Sequence, residues 1–318
     1  MEDPEIIMAS SDRALVALGG HLREMGYRFT TVTPETHRRV NDRPENAIAR
    51  RIEDVFGWSR PFHTNVLPPP IVDLMFEADI IVPCEEGFRS LLRLSSLDDL
   101  LLFHSAYPTT APDSVFFGPD TYRFAIALET HLREPIGPVE RAMDIGCGTG
   151  AGGFIAARKF PMATIILGDI NAKALKFARV NAALNAISNV RLAMSDILSG
   201  VDGSFDLVCA NPPYLVDPAK RAYRDGGGSL GATLSLAIIE AAMERLTPGG
   251  TLLLYTGAAI VEGRDALRAE AAGRMQQSNF SWSYSEMDPD VFGEELDNSA
   301  YAHADRIAAA VFAATKPR

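Results

Sequence analysis

The sequence predicts an α/β protein: a parallel sheet covered by helices on both faces, preceded by a mainly helical N-terminal domain. From about residue 115, short apolar runs alternate with helical stretches, the pattern of strands joined by crossover helices. One of those runs ends in an acid and a glycine-rich turn. Before residue 110 the alternation is absent, and apolar residues recur at three- and four-residue spacing instead. A chain of 318 residues is long enough for two domains, each with its own core, and the division expected is 1–110 and 111–318.

In the first part, Leu15, Leu18, Leu22 and Met25 predict an amphipathic helix over 12–26. A second helix is expected over 44–56. A third is expected to start at Pro68-Pro69-Pro70, because proline is tolerated in a helix's first turn, and to run on through Ile71, Leu74 and Met75. Phe88 to Leu94 and Leu100 to Phe103 read as short strands. Helices followed by a small hairpin suggest a winged-helix-like module of about 110 residues, closed by the turn-rich Tyr107-Pro108-Thr109-Thr110-Ala111-Pro112-Asp113.

In the second part the expected strands are Arg141 to Ile145, Thr164 to Gly168, Val190 to Ala193, Phe205 to Ala210 and Thr251 to Tyr255, with helices centred near 155, 178, 240 and 268. Phe280 to Tyr284 and Arg306 to Ala313 lack a good intervening helix and are expected as an antiparallel pair at the sheet edge.

Composition narrows the function. Cys84, Cys147 and Cys209 show no CxxC spacing and the six histidines are scattered, so neither a structural metal nor a disulfide framework is expected. The acidic start and an apolar stretch no longer than Thr251 to Val261, well under the roughly 18 residues of a membrane span, lead us to expect a cytoplasmic protein without a membrane partner. A net charge of −11 disfavours tight binding to duplex nucleic acid, which draws on Lys and Arg releasing phosphate counterions. Arg38, Arg39, Arg43, Arg50 and Arg51 would be the exception. Glu35, Asp42, Glu45, Glu53 and Asp54 lie among them and predict internal ion pairs on solvated faces.

The strand ending in Asp144 runs into Gly146, Gly148 and Gly150 and then a helix, which reads as a ligand-binding turn at the carboxyl edge of the sheet. Gly146 to Ala151 also satisfies the dinucleotide pattern GxGxxA, and Asp169 falls where a ribose-binding acid would sit in either class. Asp144 favours the other reading, since an acid there repels a pyrophosphate and suits a cationic amino-acid tail or a ribose. Asp196, after a third strand, is placed to accept from an adenine amino group. Each acid also has a plainer reading, Asp169 as a helix cap and Asp196 as a turn residue.

Phe205 to Ala210 reads as a buried strand delivering Asn211-Pro212-Pro213-Tyr214 to the same edge as the glycine loop. Here the chain resembles the class I S-adenosylmethionine-dependent methyltransferases with an Asn-Pro-Pro-Tyr motif, the release-factor glutamine methyltransferase and small-domain methyltransferase group. Residues 115 to 260 carry the likeness: the glycine loop, Asp169, Asp196, the acceptor motif and Leu246-Thr247-Pro248-Gly249-Gly250 follow in family order. The resemblance implies a Rossmann-like seven-stranded sheet with S-adenosyl-L-methionine as cofactor. It implies cofactor contacts from Asp144, Gly146, Cys147, Gly148, Gly150, Asp169, Ile170, Asp196, Ile197 and Asn211. It further implies catalysis by Asn211, Pro212 and Tyr214, with acceptor contacts from Pro213, Tyr214, Phe117 and Thr121.

The chemistry suits the motif. A conjugated amide or aryl amine nitrogen is a poor nucleophile, and Asn211 Oδ1 and the Pro212 carbonyl can each accept one of its N–H groups while Tyr214 stacks on the planar group. The expected reaction is methyl transfer to a planar nitrogen of a protein or small molecule. The alternatives are an RNA or DNA base N-methyltransferase, and, in another class, a non-catalytic S-adenosylmethionine-binding module. The release-factor enzymes usually carry Glu-Pro after the motif. This chain has Ala222-Tyr223-Arg224-Asp225-Gly226-Gly227-Gly228 instead, which counts against glutamine as the acceptor.

Overall fold

The computed structural model describes residues 8–221, 223–276 and 278–318. They form two compact units: one of residues 8–110, Ser114–Asp120 and Lys176–Ser188, the other of Ala111–Asp113, Thr121–Leu175 and the described residues from Asn189 to Arg318.

In the first unit, helix α1 (Ser10–Glu24) buries Leu15, Leu18 and Leu22 on one face. Helix α2 (Pro34–Asn41) starts at a proline, and the Thr33 side chain accepts the Thr36 N–H. The single helix expected over 44–56 is divided. Pro44–Asn46 makes one 3-10 turn and α3 (Ile52–Phe56) starts afresh, because Asp54 Oδ2 accepts the N–H groups of Arg50 (2.9 Å) and Arg51 (3.1 Å) and so caps a new helix. Helix α4 (Pro69–Glu77) carries the prolines in its first turn, as expected.

Two hairpins follow: β1 (Ile81–Cys84) with β2 (Gly87–Ser90), and β3 (Leu92–Leu97) with β4 (Leu100–Ser105). The strand expected over 88–94 breaks at Leu91, where the Ser90 hydroxyl donates to the Leu92 carbonyl and accepts its N–H. On residues 176–188, Asn181 and Asn185 sit one helical turn apart and act as a surrogate strand. Asn181 exchanges hydrogen bonds with both backbone groups of Phe103, and Asn185 with both of Leu101. The outer edge of β4 is thereby satisfied. Within the mixed charge run Arg38 pairs with Glu35 and Asp42, Arg39 with Glu35 and Arg51 with Asp54, and Asp54 also pairs with Arg60 from outside the run.

The second unit takes helix α5 (Pro119–His131) from Thr121 onward. It continues through β5 (Arg141–Ile145), α6 (Ala151–Lys159), β6 (Thr164–Asp169), α7 (Ala172–Leu184, of which residues up to 175 belong here) and β7 (Val190–Met194). There follow β8 (Phe205–Ala210), α8 (Thr233–Arg245), β9 (Leu246–Val261), the short β10 (Arg264–Asp265), α9 (Ala266–Gln276), β11 (Ser281–Asp288) and β12 (Arg306–Thr315).

The sheet order is β11-β12-β9-β8-β5-β6-β7, with β10 paired to β9. Strands β9 to β7 are parallel, and β12 and β11 close the edge antiparallel, as the sequence predicts. Strand β9 is longer than expected. Its pairing jumps from Phe205–Leu246 to Leu207–Thr251, so residues 247–250 bulge out of the ladder. In β8, Phe205, Leu207, Val208, Cys209 and Ala210 are all buried, the near-continuous apolar run of a strand covered on both faces. The chain winds one way from β5 through β6 to β7 and the other way through β8 to β9, so the crevice for a ligand lies at the carboxyl ends of β5 and β8.

Candidate active site

Register brings the predicted residues to one edge. Ile145 pairs with both Gly168 and Ala210, and Asp169 pairs with Met194, so Gly146, Ile170 and Asn211, each the first residue past its strand, emerge side by side, with Asp196 two residues past the end of β7.

The turn after β5 is a tight backbone cup. Gly150 N–H donates to the Cys147 carbonyl (2.7 Å), Cys147 N–H to the Gly168 carbonyl (3.0 Å), and Gly148 N–H to Asp169 Oδ2 (3.0 Å). Gly146, Gly148 and Gly150 have φ of 66°, 52° and 91°, a region that costs a side-chain-bearing residue about 1–2 kcal/mol. Space distinguishes them further. A Cβ on Gly150 would strike the Phe154 ring at 2.5 Å, whereas one on Gly146 would meet nothing within 4 Å, and one on Gly148 only the Gly146 carbonyl at 4.0 Å. The protein itself does not fill the space over Gly146 and Gly148. Cys147 is buried, and its thiol is pushed up well above its usual range by burial.

Asp144 lies beneath this cup. It is 2% exposed, and its Oδ2 accepts the Gly153 N–H at 2.7 Å from the first turn of α6. The Cys209 thiol stands 3.8 Å from Oδ1. Burial raises the pKa of Asp144 to about 7, with the nearby Asp169 charge adding to the effect. Gly152 and Gly153 let α6 come this close: a Cβ on Gly153 would lie 2.0 Å from Leu167 Cδ2.

Asp169 is engaged at both oxygens, by Gly148 N–H and by Asn171 N–H (2.9 Å), and burial holds its pKa above the usual carboxylate range. It therefore braces the glycine cup and the turn into α7, whose cap is Asn171, with Oδ1 accepting the Lys173 N–H at 2.9 Å. Beside it Ile170 is 56% exposed, an apolar face left open next to a polar cup. Asp196 is exposed and begins a turn in which Ile197 takes φ 52°.

On the acceptor side, the Asn211 amide is half-buried and makes no hydrogen bond to a described residue. Pro212 is buried and Pro213 half-buried. Tyr214 departs from the sequence reading of a ring free to stack. It is 6% exposed and packs edge-on to Tyr255 and Phe292, with ring centroids 6.4 and 6.0 Å away, and a Cβ on Gly257 would lie 2.1 Å from it. Thr121 is buried on α5. Phe117 belongs to the first unit, fully buried with its ring stacked on His104 at 5.2 Å.

The strap after the motif is well held. Arg221 grips Asp217 through Nε (2.8 Å), Nη2 (2.6 Å) and its backbone N–H (2.8 Å), and these bonds pull Asp217 down to about 2. Leu215 bridges to Asp225 and exchanges backbone hydrogen bonds with Arg224 and Gly226. Sequence reasoning gave no role to Phe292, Asn298 or Tyr301. No periodicity marks them, and only the fold brings them to this strap.

Among the described residues no group of acidic, histidine or cysteine side chains has a metal-binding arrangement, and no helix is long and apolar enough to cross a membrane.

Residues 125–268 match the family model described as methyltransferase small domain. This single segment holds the glycine cup, Asp169, Asp196 and the Asn-Pro-Pro-Tyr turn. Over 124 residues the chain is 35% identical to a release factor glutamine methyltransferase of Deinococcus radiodurans, covering 36% of this chain and 44% of that one. Over 118 residues it is 36% identical to a ribosomal RNA small subunit methyltransferase C of Mannheimia succiniciproducens, covering 36% and 32%. The chain thus spans less than half the length of either relative. The crystal structure of Trm5b from Pyrococcus abyssi superposes with a TM-score of 0.50 at 14% identity, over 85% of this chain and 72% of that one, a likeness of fold.

Proposed function

We propose that the protein is an S-adenosyl-L-methionine-dependent N-methyltransferase acting on a planar nitrogen, an amide or aryl amine, of a protein or small molecule. The observation that carries this is the pairing of an unfilled glycine cup with a side-chain amide, Asn211, that has no described partner and emerges from the adjacent strand.

The residues fit the cofactor. Gly146 and Gly148 allow close approach of a ligand at the strand edge. Asp169 and Asp196 offer carboxylate acceptors to a ribose and an adenine amino group, and Ile170 offers the apolar face a purine ring would cover. When bound, S-adenosyl-L-methionine supplies an electrophilic methyl group. Asn211 Oδ1 and the Pro212 carbonyl would take the N–H groups of the acceptor, aligning its lone pair and stabilising the positive charge that builds there. Tyr214 would act from behind, as packing that stiffens the turn. Asp144, with one oxygen on Gly153, would act on the cofactor's ammonium through its charge.

A ribosomal RNA base is the second reading, favoured by the relative named for that substrate and opposed by the net charge of −11. One assay tests both. Tritiated methyl transfer is followed under single turnover to a purified translation release factor and to small-subunit ribosomal RNA transcribed in vitro. Labelling of either by the wild type, with a roughly hundred- to thousand-fold loss in Asn211→Ala, is the expected result. Turnover by Asn211→Ala within about threefold of wild type would sink the assignment of Asn211.

A further inference from the structure

The connection between β11 and β12, residues 289–305, carries no motif, yet it folds onto the chain just past Asn-Pro-Pro-Tyr. Both backbone polar groups of Val216 are taken by it. The Val216 N–H donates to the Tyr301 hydroxyl at 2.9 Å, and its carbonyl accepts from Asn298 Nδ2 at 3.1 Å. Asn298 is itself fixed, its Oδ1 accepting the Ala300 N–H at 3.1 Å, and Tyr301 is 2% exposed. Glu295 pairs with Arg224 on the same strap.

Phe292 meets the Tyr214 ring edge-on and holds φ 55°. A bulky residue persists in that region only where its surroundings determine it. The contacts converging on residues 214–224 supply that determination.

We propose that the β11–β12 connection is a positioning element for the acceptor, in which Tyr301 and Asn298, acting through Val216, fix the turn that presents Asn211 and the Pro212 carbonyl. The proposal rests on the reading of Asn211 as the group that receives the acceptor nitrogen. Its physical basis is steepness: a displacement of about 1 Å in an aligned site costs about a hundredfold in rate. Neither residue touches the acceptor. Both set where the touching residues stand.

The test uses the full chain as wild type, Tyr301→Phe, and Tyr301→Phe with Asn298→Ala. Trp282→Ala serves as a control for destabilisation of the same hairpin, since Trp282 stacks on Phe312. Methyl transfer to the release factor and to the transcribed ribosomal RNA is measured together with S-adenosylhomocysteine affinity and melting temperature. Tyr301→Phe is expected to lower kcat about tenfold and the double variant about a hundredfold, with KM and cofactor affinity nearly unchanged. Trp282→Ala is expected to lose at least as much thermal stability and keep wild-type turnover. Unchanged kcat, or cofactor affinity falling in step with kcat, would overturn the proposal.

If the wild type labels neither acceptor, the acceptor reading is what has failed, and amide hydrogen exchange still decides the positioning. Faster exchange at Tyr214 and Leu215 in Tyr301→Phe is expected, and faster exchange confined to Val216 contradicts it.

Discussion

The carboxylate of Asp144 accepts the Gly153 N–H at 2.7 Å, so the acid one residue before the end of β5 is bound to the first turn of α6 from inside the fold. Its carboxyl is raised to about 7 by burial. An acid whose folded-state pKa is raised contributes stability that is complete below its unfolded value, near 4, and is lost as pH climbs to the folded value near 7. A three-unit shift amounts to about 4 kcal/mol. Asp144→Asn keeps an oxygen for Gly153 and removes the titration. Urea unfolding from pH 4 to 8 is therefore expected to show the variant gaining on the wild type by several kcal/mol, on the order of the linkage value, as pH rises. A stability difference independent of pH would show that Asp144 does not titrate in this range.

The glycines of this region divide by purpose. Gly148→Ala places a methyl group in open space at φ 52°, and it is expected to cost about 1–2 kcal/mol of stability while sharply weakening S-adenosylhomocysteine binding. Gly153→Ala drives a methyl group to 2.0 Å from Leu167 and is expected to damage the fold itself. Melting temperature and calorimetric titration on both variants check the contrast. A Gly148→Ala protein that binds like wild type would show that the cup is not where the ligand sits.

Tyr214 is core. Enclosed by Tyr255, Phe292 and Gly257, its truncation to alanine should cost about 3–5 kcal/mol, as for other buried aromatic rings, and this would be read as a lower urea midpoint. A Tyr214→Ala protein as stable as wild type but slow in methyl transfer would restore the ring to the acceptor.

What the sequence made legible was local. The apolar runs 141–145 and 205–210 announce strands because both their faces are covered, and the acids and glycines after them need only the strand ends to be placed. Long-range pairing was not legible. Nothing near Asn181 and Asn185 in sequence shows that they complete the edge of β4, some 80 residues earlier, with separations of 78 and 84. The division of the 44–56 helix hangs on one side chain, Asp54, choosing the Arg50 and Arg51 amides over solvent. The enclosure of Tyr214 was not legible, because its neighbours come from β9 and from the β11–β12 connection, which no pattern in the acceptor motif foretells.

Whether the cup formed by Gly146, Gly148 and Asp169 receives the methyl donor is tested, without any acceptor, by calorimetric titration of the full chain with S-adenosylhomocysteine. Saturable one-to-one binding is expected, with a melting temperature that rises with ligand because only the native state binds it, strong weakening in Asp169→Ala, and no response to NADH. Micromolar binding of NADH with no heat from S-adenosylhomocysteine would return the glycine loop to the dinucleotide class.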